Sequence, residues 1–212
     1  DISGPDGVPD GVIDDYDKTN IGSPMPKFTF GWTNTFRYKN FDLSVFINGS
    51  YGNKVYNYLS MKLTHMNSPW TNQLNAVNGR AQLVPINPNK VYEDGTMWYN
   101  DVSNVMVANP GASIPRATIN DPNDNDRISD RYIEDGSYIR LKNISFPKKT
   151  IDKLGLSNLR IYANIQNLLT ITGYDGYDPE IGASTSSVNV YGLDNGRYPS
   201  PTVYSFGLNV SF

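Results

Sequence analysis

Cysteine is absent from these 212 residues. That excludes disulfides, thiolate metal sites and cysteine nucleophiles together. Histidine occurs once, as His65. It lies near Met61, Met66 and Trp70 with no placed acid or nucleophile, so it reads as a packing or surface residue rather than a catalyst. Carboxylates are scattered through loop-like stretches and form no paired glycosidase motif. No catalytic residue is nominated and no enzymatic activity is expected. There is no run of about 18 apolar residues, which excludes a transmembrane helix. A mean hydropathy of −0.47 does not exclude membrane strands, which need only about 9–11 residues with alternate ones apolar. Net charge is −3, so nothing points to nucleic acid. The start, Asp1-Ile2-Ser3, has neither the charged nor the apolar region of a signal peptide. An exported protein would carry its leader upstream, and the chain is expected to begin part-way through a longer one.

Aromatic residues are plentiful, with 15 Tyr, 8 Phe and 3 Trp, and there are 18 Gly. That composition favours β structure. Five segments alternate with period two, the mark of strands with unlike faces. In residues 28–38, Phe28, Phe30, Trp32, Phe36 and Tyr38 share a face opposite Thr29, Gly31, Thr33, Thr35 and Arg37. In residues 41–51, Phe41, Leu43, Val45, Ile47 and Tyr51 share a face, and Lys39-Asn40 between the two segments reads as a two-residue hairpin turn. Further strands are expected from about Tyr138 to Ser145, from Leu159 to Leu169, and from Tyr204 to Phe212.

The connections are lopsided. Lys39-Asn40 is tiny and 146–158 is moderate, whereas 52–135 and 171–201 are long. Long structureless loops are rare in compact soluble domains, while outer-membrane barrels pair short periplasmic turns with long extracellular loops. If Phe212 ends in the periplasm, both long connections fall outside and both shorter ones inside. Alternation alone favours a secreted β-sandwich, whose strands also alternate. Strands of about 11 residues exceed the usual 5–6 and favour a barrel. Five strands cannot close a membrane barrel, for which about eight is the minimum, and an open edge in lipid leaves backbone groups unpaired. Either the strands form a soluble sheet or most of a barrel is missing.

Several ordered motifs resemble one family. Tyr132-Ile133-Glu134-Asp135-Gly136-Ser137-Tyr138-Ile139-Arg140-Leu141-Lys142-Asn143-Ile144 is similar to a signature of SusC/RagA-like, TonB-dependent transporters. Gly155-Leu156-Ser157-Asn158-Leu159-Arg160-Ile161-Tyr162 and Gln166-Asn167-Leu168-Leu169-Thr170 resemble its next strand, and Gly176-Tyr177-Asp178-Pro179-Glu180 a following loop. Ile21-Gly22-Ser23-Pro24 with Pro26 resembles the stretch before its hairpin, and residues 204–212 its last strand. One departure stands out: Ile144-Ser145 runs directly into Phe146-Pro147 where the family has an intervening Leu-Gly-Tyr stretch.

The resemblance implies an all-β fold made of the last five or so antiparallel strands of a 22-stranded transmembrane β-barrel with long extracellular loops. Residues 1–26 would be an extracellular loop with an Asp-rich turn. Residues 27–212 would be the C-terminal barrel strands, with 52–135 and 171–201 as outer loops and the plug domain outside this chain. The implied function is a part in importing oligosaccharides or peptides across the bacterial outer membrane, with a SusD-like surface lipoprotein as lid. The implied partners are the rest of the same barrel and plug, the TonB complex, outer-membrane lipid and the substrate. The rival reading is a soluble β-sandwich binding module of the envelope without transport. It expects the aromatic face of 28–38 to be buried against a second sheet.

Three sets of site residues follow. Asp6, Asp10, Asp14 and Asp17 occupy positions 1, 5, 9 and 12 of a loop with Gly11 at position 6, the spacing of a calcium loop. Val8 stands where position 3 calls for Asp or Asn, and Asp1 with Ser3 offers another register. Bound Ca2+ is one reading and a solvated acidic turn the other. Trp70, Trp98, Tyr99, Tyr174 and Tyr177 are candidates for stacking on a ligand. The alternative is that they pack the loops or meet a partner. Tyr204, Gly207, Leu208, Val210 and Phe212 form the terminal strand that the resemblance implies is read as a barrel-assembly signal, while an aromatic girdle would equally place Phe212 there.

Overall fold

The computed structural model describes residues 1–121, 124–150, 158–180 and 191–211. In chain order these form β1 (Phe28–Tyr38), β2 (Phe41–Tyr51), β3 (Lys54–Asn57), helix α1 (Tyr58–Thr64), β4 (Leu83–Pro85), β5 (Val105–Val107), β6 (Ile133–Asp135), β7 (Tyr138–Thr150), β8 (Asn158–Thr172), β9 (Leu193–Asp194) and β10 (Val203–Ser211). Two compact units result. One comprises Asp1–Tyr56, Ser129–Leu193 and Arg197–Phe212, the other Asn57–Ile128 and Asp194–Gly196.

The first unit is built on a five-stranded sheet of order β1-β2-β7-β8-β10, with every neighbouring pair antiparallel. A three-stranded sheet, β6-β3-β9, is also present. Period-two alternation, turned into register, sorts the large sheet into two faces, because residues directly opposite one another project to the same side. Thr29, Ser50, Tyr138 and Thr172 lie in one cross-strand row. Asn48, Arg140 and Thr170 lie in the next row on that side, so this face is polar. The opposite face carries Trp32, Ile47, Leu141 and Leu169 in one row, and Phe30, Gly49, Ile139 and Ile171 in another. Trp32, Ile139, Leu169 and Ile171 remain exposed there. At the hairpin, Tyr38 pairs with Phe41, and Lys39 takes φ 51° in the left-handed region that a two-residue turn requires.

A bulge interrupts the pattern at Lys142. On β2, Phe46 pairs with Asn143 and Ile47 with Leu141, so Lys142 has no opposite residue. On β8, Leu169 pairs with Leu141 and Gln166 with Asn143, which sets Asn167 and Leu168 against Lys142 alone. Asn167 sits at φ 51°, a conformation that Asn tolerates better than most residues. Beyond the bulge, Ile144 rather than Asn143 continues the face of Leu141, since Val45 and Ile47 alternate regularly opposite them. The strand expected to end at about Ser145 runs on as β7 to Thr150.

The expected barrel is corrected by this topology. The described residues form three open sheets rather than a closed wall. The large sheet ends at β1 on one side and at β10 on the other, and strands on opposite edges do not pair. Five strands fall short of the roughly eight that closure needs. No helix among the described residues is long and apolar enough to cross a membrane, an observation that says nothing of strands. The expectation of transmembrane strands in a 22-stranded barrel is therefore set aside for the fold described. The sandwich reading's expectation of a buried aromatic face on β1 is not met either: Phe28, Trp32, Phe36 and Tyr38 are each exposed.

The second unit has little regular structure. Helix α1 starts at an N-cap, where Asn57 Oδ1 accepts the Ser60 N–H at 2.8 Å. It ends where the His65 N–H reaches the Met61 carbonyl at 3.0 Å. β4 and β5 make a two-stranded ribbon with Leu83 opposite Val107. Met61 and Ile114 are its buried apolar side chains. His65 Nε2 and Asp121 Oδ2 lie 2.9 Å apart, both buried, and tie the segment after Thr118 to the end of α1.

Candidate functional site

The polar face of the first unit carries a network of four charges. Arg140 is 2% exposed. Its Nη2 donates to Asp178 Oδ1, its Nη1 donates to Glu180 Oε2 at 2.6 Å, and its Nε donates to Thr170 Oγ1 at 2.8 Å. Lys142 Nζ donates to the same Glu180 oxygen at 2.7 Å. Asp178 also accepts the Glu180 N–H on Oδ1 and the Ser200 N–H on Oδ2, each at 2.9 Å. The loop Gly176–Glu180 is thus folded back onto β7, and the segment leading into β10 is fastened to it. The Tyr138 ring lies 5.6 Å from the guanidinium carbon, within reach of a cation–π contact.

The positions follow from local geometry. Tyr138 and Arg140 alternate onto the polar face, and the bulge at Lys142 is the kind of irregularity that re-aims a side chain. Two cations against two carboxylates leave the network neutral. Such burial costs several kcal/mol per ion unless each charge is paired and hydrogen-bonded, as here. Burial pushes the Asp178 carboxyl upward, but the Arg140 guanidinium and the Ser200 and Glu180 N–H groups outweigh it and hold it below the ordinary value of 3.8. Burial raises the Tyr138 phenol above its ordinary value of 10.0.

Beside this network is a cavity of about 500 Å³, within the usual size range of ligand pockets. Tyr138, Lys142, Glu180, Tyr191, Arg197 and Ser200 are among the side chains lining it. The wall is therefore aromatic, hydroxylated and charged at once.

The residues singled out from sequence do not gather here. None of Trp70, Trp98, Tyr99, Tyr174 and Tyr177 lines the cavity. In the second unit, Trp70 is exposed and Trp98 meets Tyr99 edge-on with ring centres 5.7 Å apart. In the first unit, Tyr174 is buried and Tyr177 exposed. The acidic turn uses its carboxylates locally. Asp17 Oδ1 accepts the Ile2 and Ser3 N–H groups at 2.6 and 3.1 Å, and Oδ2 accepts that of Asp14 at 2.8 Å. Together these lower its carboxyl to about 2. Asp10 and Asp14 accept from Val12 and Tyr16, and Asp6 is exposed. No group of three or more His, Cys, Asp or Glu side chains placed to hold a metal gathers among the described residues. Tyr204, Gly207, Leu208 and Val210 lie on β10, where the Tyr162 ring covers Gly207. Phe212 lies outside the described residues.

Arg140, Lys142, Asp178 and Glu180 were visible in the sequence only as parts of motifs. The available signal was two cations at alternate positions of one strand and two carboxylates in one short loop.

No protein-family model matches the chain. TonB-dependent receptor P3 of Formosa agariphila is 35% identical over 211 residues, covering 95% of this chain and 18% of that protein. TonB-dependent receptor SusC of Bacteroides thetaiotaomicron is 28% identical over 209 residues, covering 95% of this chain and 17% of its own length. The chain is homologous, at family level, to the SusC/RagA TonB-dependent outer-membrane transporters. It spans under a fifth of the length of the curated SusC/RagA relatives it matches. The RagAB peptide importer in its closed-closed state shares the fold with a TM-score of 0.61 at 18% identity, over 99% of this chain and 20% of that one.

The homology is to TonB-dependent receptors of the SusC/RagA family rather than to enzymes, so the chain is non-enzymatic, and it associates the chain with the outer membrane. The expectation that this chain acts as the wall of an importing pore, within a membrane protein complex, is corrected by its own fold. An open five-stranded sheet encloses no lumen among the described residues.

Proposed function

We propose that this chain is a binding module of an outer-membrane-associated receptor, holding a ligand on the polar face of its five-stranded sheet rather than conducting one through a pore. The observation that carries this reading is the cavity of about 500 Å³ beside the Arg140, Lys142, Asp178 and Glu180 network. A wall whose charged side chains are already locked by partners is preorganised, and binding then costs less ordering. The homology supports, at a general level, a peptide or oligosaccharide ligand and a SusD-like lipoprotein partner.

Hydrogen exchange on the full chain tests this. Adding a mixture of short peptides and oligosaccharides should slow exchange at residues 138–142 and 197–200. Unchanged exchange at saturating ligand rules out the cavity as the binding place.

A further inference from the structure

We propose that the cavity of the first unit takes an uncharged sugar ring, held through two neighbouring hydroxyls by the Lys142–Glu180 pair. This rests on the reading of the cavity as a ligand site and goes on to name the chemistry its wall accepts. Three observations carry it.

The first is what the ion pair leaves unspent. Lys142 and Glu180 both line the cavity, and their side chains are 32% and 35% exposed. Arg140 Nη1 and Lys142 Nζ donate to Glu180 at 2.6 and 2.7 Å, and both bonds fall on Oε2. Among the described residues this leaves Oε1 as an acceptor. An ammonium has three donors, and Lys142 gives one of them to Glu180. A donor and an acceptor thus stand side by side, each charged and so able to form bonds roughly twice as strong as neutral ones. A hydroxyl both donates and accepts. Of two adjacent hydroxyls on one ring, the first can accept from Lys142 while the second donates to Glu180. The N–H and C=O of a trans amide point to opposite sides, so a single peptide group cannot serve both.

The second is charge balance. Arg140 is paired with Asp178, and Lys142 with Glu180. Arg197, on the same wall, has an interaction of its own within the chain. A ligand with a net charge of either sign would give up its water to meet charges that are already paired. An uncharged ligand gives up far less.

The third is the rest of the wall. Thr29 and Ser200 add hydroxyls, and Tyr191 adds a ring that is well exposed. Such a ring offers apolar area at small rotamer cost, the surface that the C–H face of a sugar covers. The wall hydroxyls can bond the sugar's remaining ones.

Calorimetry on the full chain tests this with maltose, cellobiose, mannobiose and galactobiose as probes. At least one of the four is expected to bind. Its per-O-methyl ether, which keeps the rings and loses every O–H donor, should bind about tenfold or more weakly, the effect of one charged hydrogen bond. Digalacturonate should bind no more tightly than galactobiose. Lys142→Met should weaken the disaccharide about tenfold, and Lys142→Gln, which keeps a donor, should weaken it less. Equal binding of ether and parent sugar overturns the hydroxyl contact, and tighter binding of digalacturonate overturns the preference for an uncharged ligand. Unchanged binding by Lys142→Met overturns the role of the pair. If acetyl-tyrosyl-alanine amide binds and no disaccharide does, the sugar is overturned while the cavity remains a ligand site. Binding of none of these probes removes both readings. The ligand comparisons use the unaltered chain, so they decide the matter even if a variant fails to fold.

Discussion

Arg140 and Asp178, 38 residues apart in the chain, form a buried ion pair that holds the loop after β8 against β7. The guanidinium suits the place because it is planar and forked. Three of its nitrogens reach three different acceptors, on Asp178, Glu180 and Thr170. A lysine ammonium is a point charge and cannot span the same set in one geometry.

Arg140→Gln should destabilise the first unit by about 3 kcal/mol or more, because it leaves a buried carboxylate without its counter-charge. Arg140→Lys should lie between this variant and the unaltered chain. The urea midpoint at constant slope reads both. A loss under about 1 kcal/mol for Arg140→Gln would mean that the Ser200 and Glu180 N–H groups alone satisfy Asp178.

Acid should weaken the same pair. The Asp178 carboxyl is lower in the folded chain than its ordinary value of 3.8. Its stabilisation is therefore complete above that value and is lost as pH falls through the lower folded value. Melting temperature should decline below about pH 4. Asp178→Asn should remove part of that decline, and an unchanged acid slope in this variant would assign the decline to other carboxylates.

Asn167 offers a test of the bulge. At φ 51° a β-branched side chain is strained by roughly 1–2 kcal/mol. Glycine is not strained there, although it forfeits the bond from Asn167 Nδ2 to the Pro201 carbonyl at 3.1 Å. Asn167→Val should thus melt lower than Asn167→Gly. The reverse order would show that the side-chain bond, rather than backbone conformation, selects asparagine.

Gly49 and Gly207 both lie under aromatic rings, yet they should respond differently to alanine. A Cβ on Gly49 would stand 2.6 Å from the Tyr138 carbonyl oxygen as well as against the Phe30 ring. Backbone in a paired strand cannot give way, so Gly49→Ala should cost about 1–3 kcal/mol. The atoms that a Cβ on Gly207 would meet belong to the far end of the Tyr162 side chain, which can swing aside. Gly207→Ala should therefore cost clearly less, and equal losses in chemical denaturation would contradict this account.

The strands were readable because one residue in two faces each side of a sheet. Phe28–Tyr38 and Phe41–Tyr51 are bounded by the structure where alternation bounds them. β7 was readable as far as about Ser145, past the bulge at Lys142, while its continuation to Thr150 was not. Aromatic character in a long connection does not reveal burial: Tyr174 is buried while Trp70 and Tyr177 are exposed. Asp17 was chosen for calcium spacing, and its carboxylate accepts the N–H groups of Ile2, Ser3 and Asp14, bonds that spacing along the chain does not reveal.

By itself the sequence determined local things: which residues alternate, where the hairpin turns, and which motifs ally the chain with the SusC/RagA family. Tertiary structure decided that the sheet of the described residues is open, that Lys142 is the bulged residue, and that Arg140 closes on Asp178 and Glu180 beside a cavity. The physical reason is range. Alternation and turn chemistry act over a few neighbouring residues, whereas an ion pair spanning 38 positions exists only once register and loop path have brought its partners together.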